Sequence, residues 1–306
     1  MTGRLTLAHL SDIHLPPVLG WPIATSAKRM LGLVNWYGRR SRQHVPATLA
    51  AIVADVLAQQ PDHIAVTGDL VNLGLPAEHA VAARWLAGLG SPAHVTAVPG
   101  NHDIYVAGDA ERGVAHWQTY MSDDTPMPHE PPFPFVRRLG RVALIGLNSA
   151  VPTPLFHAFG RLGSDQLGRL GPILRRLGSE GLVRVVLIHH PPLPGQAKPR
   201  SALEDAAALA EVLAEHGAEL VLHGHKHRAM IASARGPLRA IPVIGVPSAS
   251  LGRAHGRQTL ARYNLFRIAP DPAVPIEMVE RGIAGPAGPV VEIARRRLAA
   301  GLPAVT

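Results

Sequence analysis

Five short apolar runs in this chain each stop on residues of the kinds that hold metal ions. Residues 5–10 end at Ser11-Asp12-Ile13-His14, 63–67 at Gly68-Asp69, and 93–98 at Gly100-Asn101-His102-Asp103. Residues 184–188 run into His189-His190, and 219–222 into Gly224-His225-Lys226-His227. Runs this short, bounded by turn residues, predict buried strands rather than helices. Helix-period segments at 46–60, 76–89, 165–177 and 202–216 alternate with them, and the first two open on a proline suited to a first helical turn. That alternation predicts an α/β fold. Open α/β sheets collect their ligands at the C-terminal ends of strands, where all five motifs fall.

The chemistry available to these motifs is narrowed by composition. The chain has no cysteine, so disulfides, thiolate metal sites and a cysteine nucleophile are excluded. Any metal must be held by His, Asp, Glu, Asn and water. Asp12 and His14 alternate, so both can face one ion, and His225 and His227 repeat that spacing. A single carboxylate, Asp69, can bridge two ions about 3.5–4 Å apart and offset their repulsion, and Asn101 offers a neutral amide oxygen. Each scrap alone is weak: Gly-Asp usually marks a turn, and two loop histidines are unremarkable in a chain with 17. Their order and shared placement at strand ends favour two adjacent metal ions, a centre suited chiefly to hydrolysis at phosphorus.

The ordered set resembles that of the calcineurin-like metallophosphoesterases: Asp-x-His, Gly-Asp, Gly-Asn-His-Asp, His and Gly-His-x-His are all matched between residues 12 and 227. The resemblance implies two mixed β-sheets packed as a sandwich flanked by helices. It implies that Asp12, His14 and His227 bind one ion, that Asn101, His189 and His225 bind the other, and that Asp69 bridges. Manganese is the expected metal, with iron, zinc or cobalt as alternatives. His102 matches a histidine that contacts the phosphoryl group and protonates the leaving oxygen, with Asp103 orienting it. His189 takes the ligand position over His190, which is left to support it or to touch substrate.

Organisation is expected to be a domain over 1–281 followed by a tail, 282–306, with a short basic helix near 290–300. Short strands are expected at 141–148, 230–233, 240–246, 261–268 and 276–280, and an irregular proline-rich loop at 126–134. Residues 19–44 form a basic amphipathic insertion directly after His14. Ser26 suits a helix start and Gly38 a helix end. Met30, Leu33, Val34 and Tyr37 share a face, with Lys28, Arg29, Arg39, Arg40 and Arg42 at the ends and Trp21 and Trp36 alongside. Two readings stand: a lid that touches an anionic membrane, or a helix packed on its own domain with solvated arginines.

The net charge of +8 favours anionic partners. Nucleic acid is disfavoured, because no appended module or long basic, aromatic-interleaved segment is present. No secretory leader and no run of about 18 uncharged apolar residues is seen, so the expected location is cytoplasmic, at most peripheral to the inner membrane. The substrate expected from the insertion is a lipid-linked phosphodiester or pyrophosphate of the UDP-diacylglucosamine kind. The alternative is a small soluble diester, a glycerophosphodiester or cyclic nucleotide, with Lys198 and Arg200 contacting a second phosphate. A non-catalytic membrane-docking protein that keeps only the fold is the reading from another class; degenerate ligand positions would mark it, and none is degenerate.

Overall fold

Apolar runs that are buried on both faces build the interior of two sheets. In the computed structural model, residues 3–18, 26–123 and 133–298 are described. Trp21 with the start of the insertion, most of the proline-rich loop and the last eight residues lie outside them. β1 (Leu5–Leu10) leads through a helical arm, consisting of α1 (Ala27–Asn35), a π-type turn at Trp36–Arg40 and the single turn α2 (Ser41–Gln43), into α3 (Pro46–Ala58). β2 (His63–Val66), α4 (Pro76–Leu89) and β3 (Val95–Ala97) follow, then α5 (Asp109–Arg112) and a 3-10 segment at Val114–Met121. Next come β4 (Phe135–Leu139), β5 (Val142–Gly146), α6 (Ser164–Ser179), β6 (Val183–Leu187), α7 (Ala206–His216) and β7 (Leu220–His223). The chain closes with β8 (Met230–Ala234), β9 (Ile241–Gly245), β10 (Arg262–Ile268), β11 (Ile276–Ile283) and β12 (Val290–Leu298).

The strands form two six-stranded mixed sheets, ordered β12-β11-β10-β1-β2-β3 and β4-β5-β6-β7-β9-β8. This is the expected α/β sandwich. β1, β2 and β3 run parallel, as do β5, β6, β7 and β9, so their C-terminal ends gather on one side. Alternation along a strand divides the core. In β5, Leu144 joins Leu7, Val66, Leu187 and Phe266 between the sheets. Its neighbours Ala143 and Ile145 face Leu170, Leu174 and Leu209 of α6 and α7.

Two elements differ from expectation. Residues 290–298 form β12, an edge strand, not a basic helix. A helix there would leave the outer edge of β11 unpaired, whereas the strand pairs it from Ile276↔Leu298 to Ile283↔Val290. Leu298 is buried in the core, and Arg295 on the strand forms ion pairs with Glu277 and Glu292, the kind of charged edge that resists further pairing. The arm likewise does not stop at Gly38, which sits within the π-type turn.

His9, His63 and His223, buried without an expected function, make the fold acid-sensitive. His9 Nε2 lies 2.9 Å from Thr67 Oγ1, His63 Nε2 lies 2.7 Å from Thr96 Oγ1, and His223 Nδ1 lies 3.1 Å from the Gly224 carbonyl. Burial pushes His9 and His63 down to about 3 and His223 to about 4, from an ordinary value of 6.5. The unfolded chain therefore binds protons below about 6.5 that the folded chain refuses, and stability is lost as pH falls through that value. The thermal midpoint should fall progressively between pH 6.5 and 4.5. A midpoint that stays flat across that interval contradicts the assignment.

Candidate metal centre

The loops that leave β1, β2, β3, β6 and β7 meet at one place, tied by their backbones. Asp12 N donates to the Gly68 carbonyl and His14 N to that of Asp69, both at 2.9 Å. Gly224 N donates to the His189 carbonyl at 3.1 Å. Asp12, His14, Asp69, His225 and His227 all have positive φ, between 47° and 69°. Such strain on non-glycine residues persists where surroundings over-determine it, as at functional sites. Two glycines are obligatory. Gly68 has φ 88°, and a Cβ there would strike the Gly100 backbone; a Cβ on Gly224 would overlap the Ser11 side chain.

Side-chain donor atoms form two clusters that share one oxygen. In the first, His14 Nε2 lies 3.2 Å from His227 Nε2, which lies 3.0 Å from Asp12 Oδ1. In the second, Asn101 Oδ1 lies 3.2 Å from His189 Nε2 and 2.9 Å from His225 Nδ1. Asp69 Oδ2 stands between them, 3.8 Å from His14 Nε2 and 3.4 Å from His189 Nε2. Ligands held at about 2.1 Å around a single ion are separated by about 3.0–3.4 Å, the spacing seen within each cluster.

The opposite ring nitrogens are anchored. His189 Nδ1 is 2.7 Å from the Thr67 carbonyl, His225 Nε2 is 3.0 Å from that of Ser201, and His227 Nδ1 is 3.2 Å from the Gln258 amide. For His189 and His225, anchoring one nitrogen to a backbone oxygen fixes the tautomer and leaves the other as a lone-pair donor, the usual state of a metal-binding histidine. Asp12 is buried, and imidazole nitrogens rather than a fixed cation stand at its Oδ1, His227 Nε2 at 3.0 Å and His14 Nε2 at 3.9 Å. A buried carboxylate in that state calls for a cation. The local field agrees: burial opposes charge on His189, yet the Asp69 carboxylate beside it, helped by Asp12, pushes it up to about 9. The seven side chains thus fit a pair of divalent ions.

A family model described as calcineurin-like phosphoesterase matches residues 5–229. The chain belongs to that family. It is 34% identical over 185 residues to a probable cyclic nucleotide phosphodiesterase of Synechococcus, covering 60% of this chain and 64% of that one. It thus spans just under two thirds of that relative's length. It is 29% identical over 285 residues to a cAMP/cGMP dual specificity phosphodiesterase of Mycobacterium tuberculosis, covering 88% and 77%. Among solved structures, a dimetal phosphatase from Danio rerio matches with a TM-score of 0.62 at 12% identity, covering 97% of this chain and 99% of that one. That likeness is one of fold.

Within this metallophosphoesterase, one site expectation changes. Asp103 does not orient His102. Its carboxylate accepts from the N–H groups of Asp69, Leu70, Val71 and Gly100 at 2.8–3.1 Å, stitching the β2 and β3 loops together. Those amides are the orphan donors at two strand ends and lie nearest the carboxylate. Burial and the Asp69 charge push Asp103 up to about 7 even so. His102 is instead fixed by Nδ1, 2.6 Å from the Asn72 carbonyl. His190 is buried with both nitrogens engaged, Nδ1 by Ser149 Oγ at 2.8 Å and Nε2 by the Ala158 carbonyl at 3.2 Å. It backs the His225 ring, 4.5 Å away between centroids. Lys198 and Arg200 are exposed and belong to the rim, on the turn whose Ser201 carbonyl anchors His225.

The insertion packs on its own domain, one of its two expected readings, with Lys28, Arg29 and Arg40 turned inward while Arg39 and Arg42 stay exposed. Arg29 pairs with Asp109 at 2.8 Å, and Lys28 Nζ donates to the carbonyls of Tyr105 and Thr153, each at 2.8 Å. Arg40 reaches the centre, with Nη1 3.0 Å from His102 Nε2 and Nη2 3.0 Å from both His14 ring nitrogens. Burial and Arg40 together hold His102 down to about 4, so it is neutral there. His44, at the end of the arm, is buried 4.5 Å from the His14 ring and forms a third donor cluster with His14 and His227. Nothing in the sequence marks His44, and Arg40 is one of several basic residues in the insertion, with no spacing signal to set it apart. The outer face keeps Met30, Val34 and Tyr37 exposed. No helix among the described residues is long and apolar enough to cross a membrane.

Proposed function

We propose that the chain hydrolyses small soluble phosphodiesters, cyclic nucleotides foremost, at a dimetal centre. Asp12, His14 and His227 would hold one ion, Asn101, His189 and His225 the other, and Asp69 both. The observation that carries the dimetal centre is Asp69 Oδ2 standing between the Asp12–His14–His227 and Asn101–His189–His225 clusters. Bound there, the ions supply Lewis acidity and an activated water. The relatives' names favour soluble diesters over the lipid-linked pyrophosphate expected from the insertion.

The chain's own residues do the rest. The arm sets the Arg40 guanidinium at the centre with no carboxylate ion-pair partner among the described residues, free to donate to the phosphoryl oxygens as charge builds. His102 stands beside it. An anion arriving between them favours the protonated imidazole, the form that passes a proton to the leaving oxygen. His190, Ser149 and the Ser201 carbonyl keep His225 in place.

The test is a panel of phosphomonoesters, cyclic nucleotides, glycerophosphodiesters and detergent-solubilised UDP-diacylglucosamine, assayed with added manganese. Cyclic nucleotide turnover above that of monoesters is expected. Turnover of monoesters alone sinks the diesterase reading. The exposed Met30, Val34 and Tyr37 on the arm favour a second reading, the lipid-linked substrate, which preferential cleavage of UDP-diacylglucosamine would establish. On the best substrate, Arg40→Ala should lower kcat/KM by about 100-fold, with metal content unchanged. Arg40→Lys should recover only part, because an ammonium lacks the planar fork.

A further inference from the structure

Next to the metal centre, α1 and the loop at 154–158 enclose a cleft of about 400 Å³. That volume lies within the usual range for small-molecule sites. Asn101 and His102 line its inner end, so it opens directly onto the reacting centre. Leu31, Asn35, Tyr105 and Phe156 line its sides. Tyr105 lies nearly parallel to the His102 ring, 5.6 Å away, with Lys28 Nζ 4.3 Å from its ring centroid. Lys28 also bonds to the backbone on both sides, at Tyr105 and Thr153. These bonds pin the arm in place and leave the cleft formed in advance, which lowers the ordering cost of a ligand.

Phe156 is the unexplained member. Its side chain is 75% exposed, yet its backbone has φ 65°, a conformation unfavourable for a bulky residue. Neither core packing nor turn chemistry calls for a phenyl ring there. A flat ring at the mouth of a cleft that ends at a phosphoryl site is suited to stacking.

We propose that this cleft takes the nucleobase of the substrate while the phosphoryl group lies at the metal centre. The proposal rests on the phosphodiesterase reading above. A base has a π face for Phe156 and edge groups for the Asn35 amide. A glycerol arm has no such face, and an acyl chain would lie against the Asn35 amide without satisfying it.

Calorimetry on the manganese-loaded full chain, with AMP and inorganic phosphate as probes, tests this. Phe156→Ala leaves an exposed position and no core gap, so the variant should fold. It should weaken AMP binding by about tenfold or more and leave phosphate binding within about twofold of the parent, since phosphate does not reach the ring. AMP affinity unchanged by the substitution overturns the proposal. So does a short-chain phosphatidic acid that binds more tightly than AMP and depends on Phe156, which would make the cleft an acyl site. Failure of the diesterase reading looks different: the unmodified chain would turn over no diester, whatever AMP does.

Discussion

Asp69→Asn should lower phosphodiester hydrolysis by at least about 100-fold, since loss of even an outer-sphere partner of a metal costs up to that much. Asn keeps the shape of Asp and can keep the bond that Asp69 Oδ1 accepts from His102 N at 2.8 Å, so the loops should hold. What disappears is the negative charge on Oδ2, the one oxygen between His14 Nε2 and His189 Nε2. Without it, two cations a few ångströms apart repel with no anion between them. Elemental analysis should show fewer than two ions per chain. A purified, metal-loaded variant that retains the parent rate removes Asp69 from the bridging position.

Asp103→Ala should instead cost stability, on the order of 4 kcal/mol or more, because buried N–H groups left unpaired cost roughly 1–3 kcal/mol each. Four are at stake: Asp69, Leu70, Val71 and Gly100. Against a usual total of about 5–15 kcal/mol, that is a large share. Had Asp103 oriented His102, its removal would leave the fold alone and shift only the pH profile of the reaction. Denaturant unfolding of the metal-free chain separates these outcomes, and a loss under about 1 kcal/mol contradicts the stitching role. Asp103→Asn should fall between, since one amide oxygen still accepts while the NH2 faces donors.

The strands that position the site were legible because their signal is local. A run such as 63–67 is apolar on both faces, short, and closed by Gly68-Asp69, so neither its length nor its termination depends on distant residues. The metal motifs were legible for the same reason: Asp12-x-His14 and His225-x-His227 carry their spacing within three residues. β12 was not legible. Its arginines and apolar residues suit a helix as well as a strand, and the open edge of β11, a partner brought close only by folding, decides between them.

The sequence by itself determined that an α/β sheet would present Asp, Asn and His side chains at strand ends in the order of a dimetal phosphoesterase. Only the tertiary structure decided what each neighbour of that set does. It assigned Asp103 to four backbone amides rather than to His102, turned Arg40 and His44 into the centre, and opened the cleft beside Phe156. The physical reason is that ligand spacing is written along the chain. Burial, hydrogen-bond choice and the approach of a guanidinium depend on which segments lie within about 3 Å of one another, and only the folded chain fixes that.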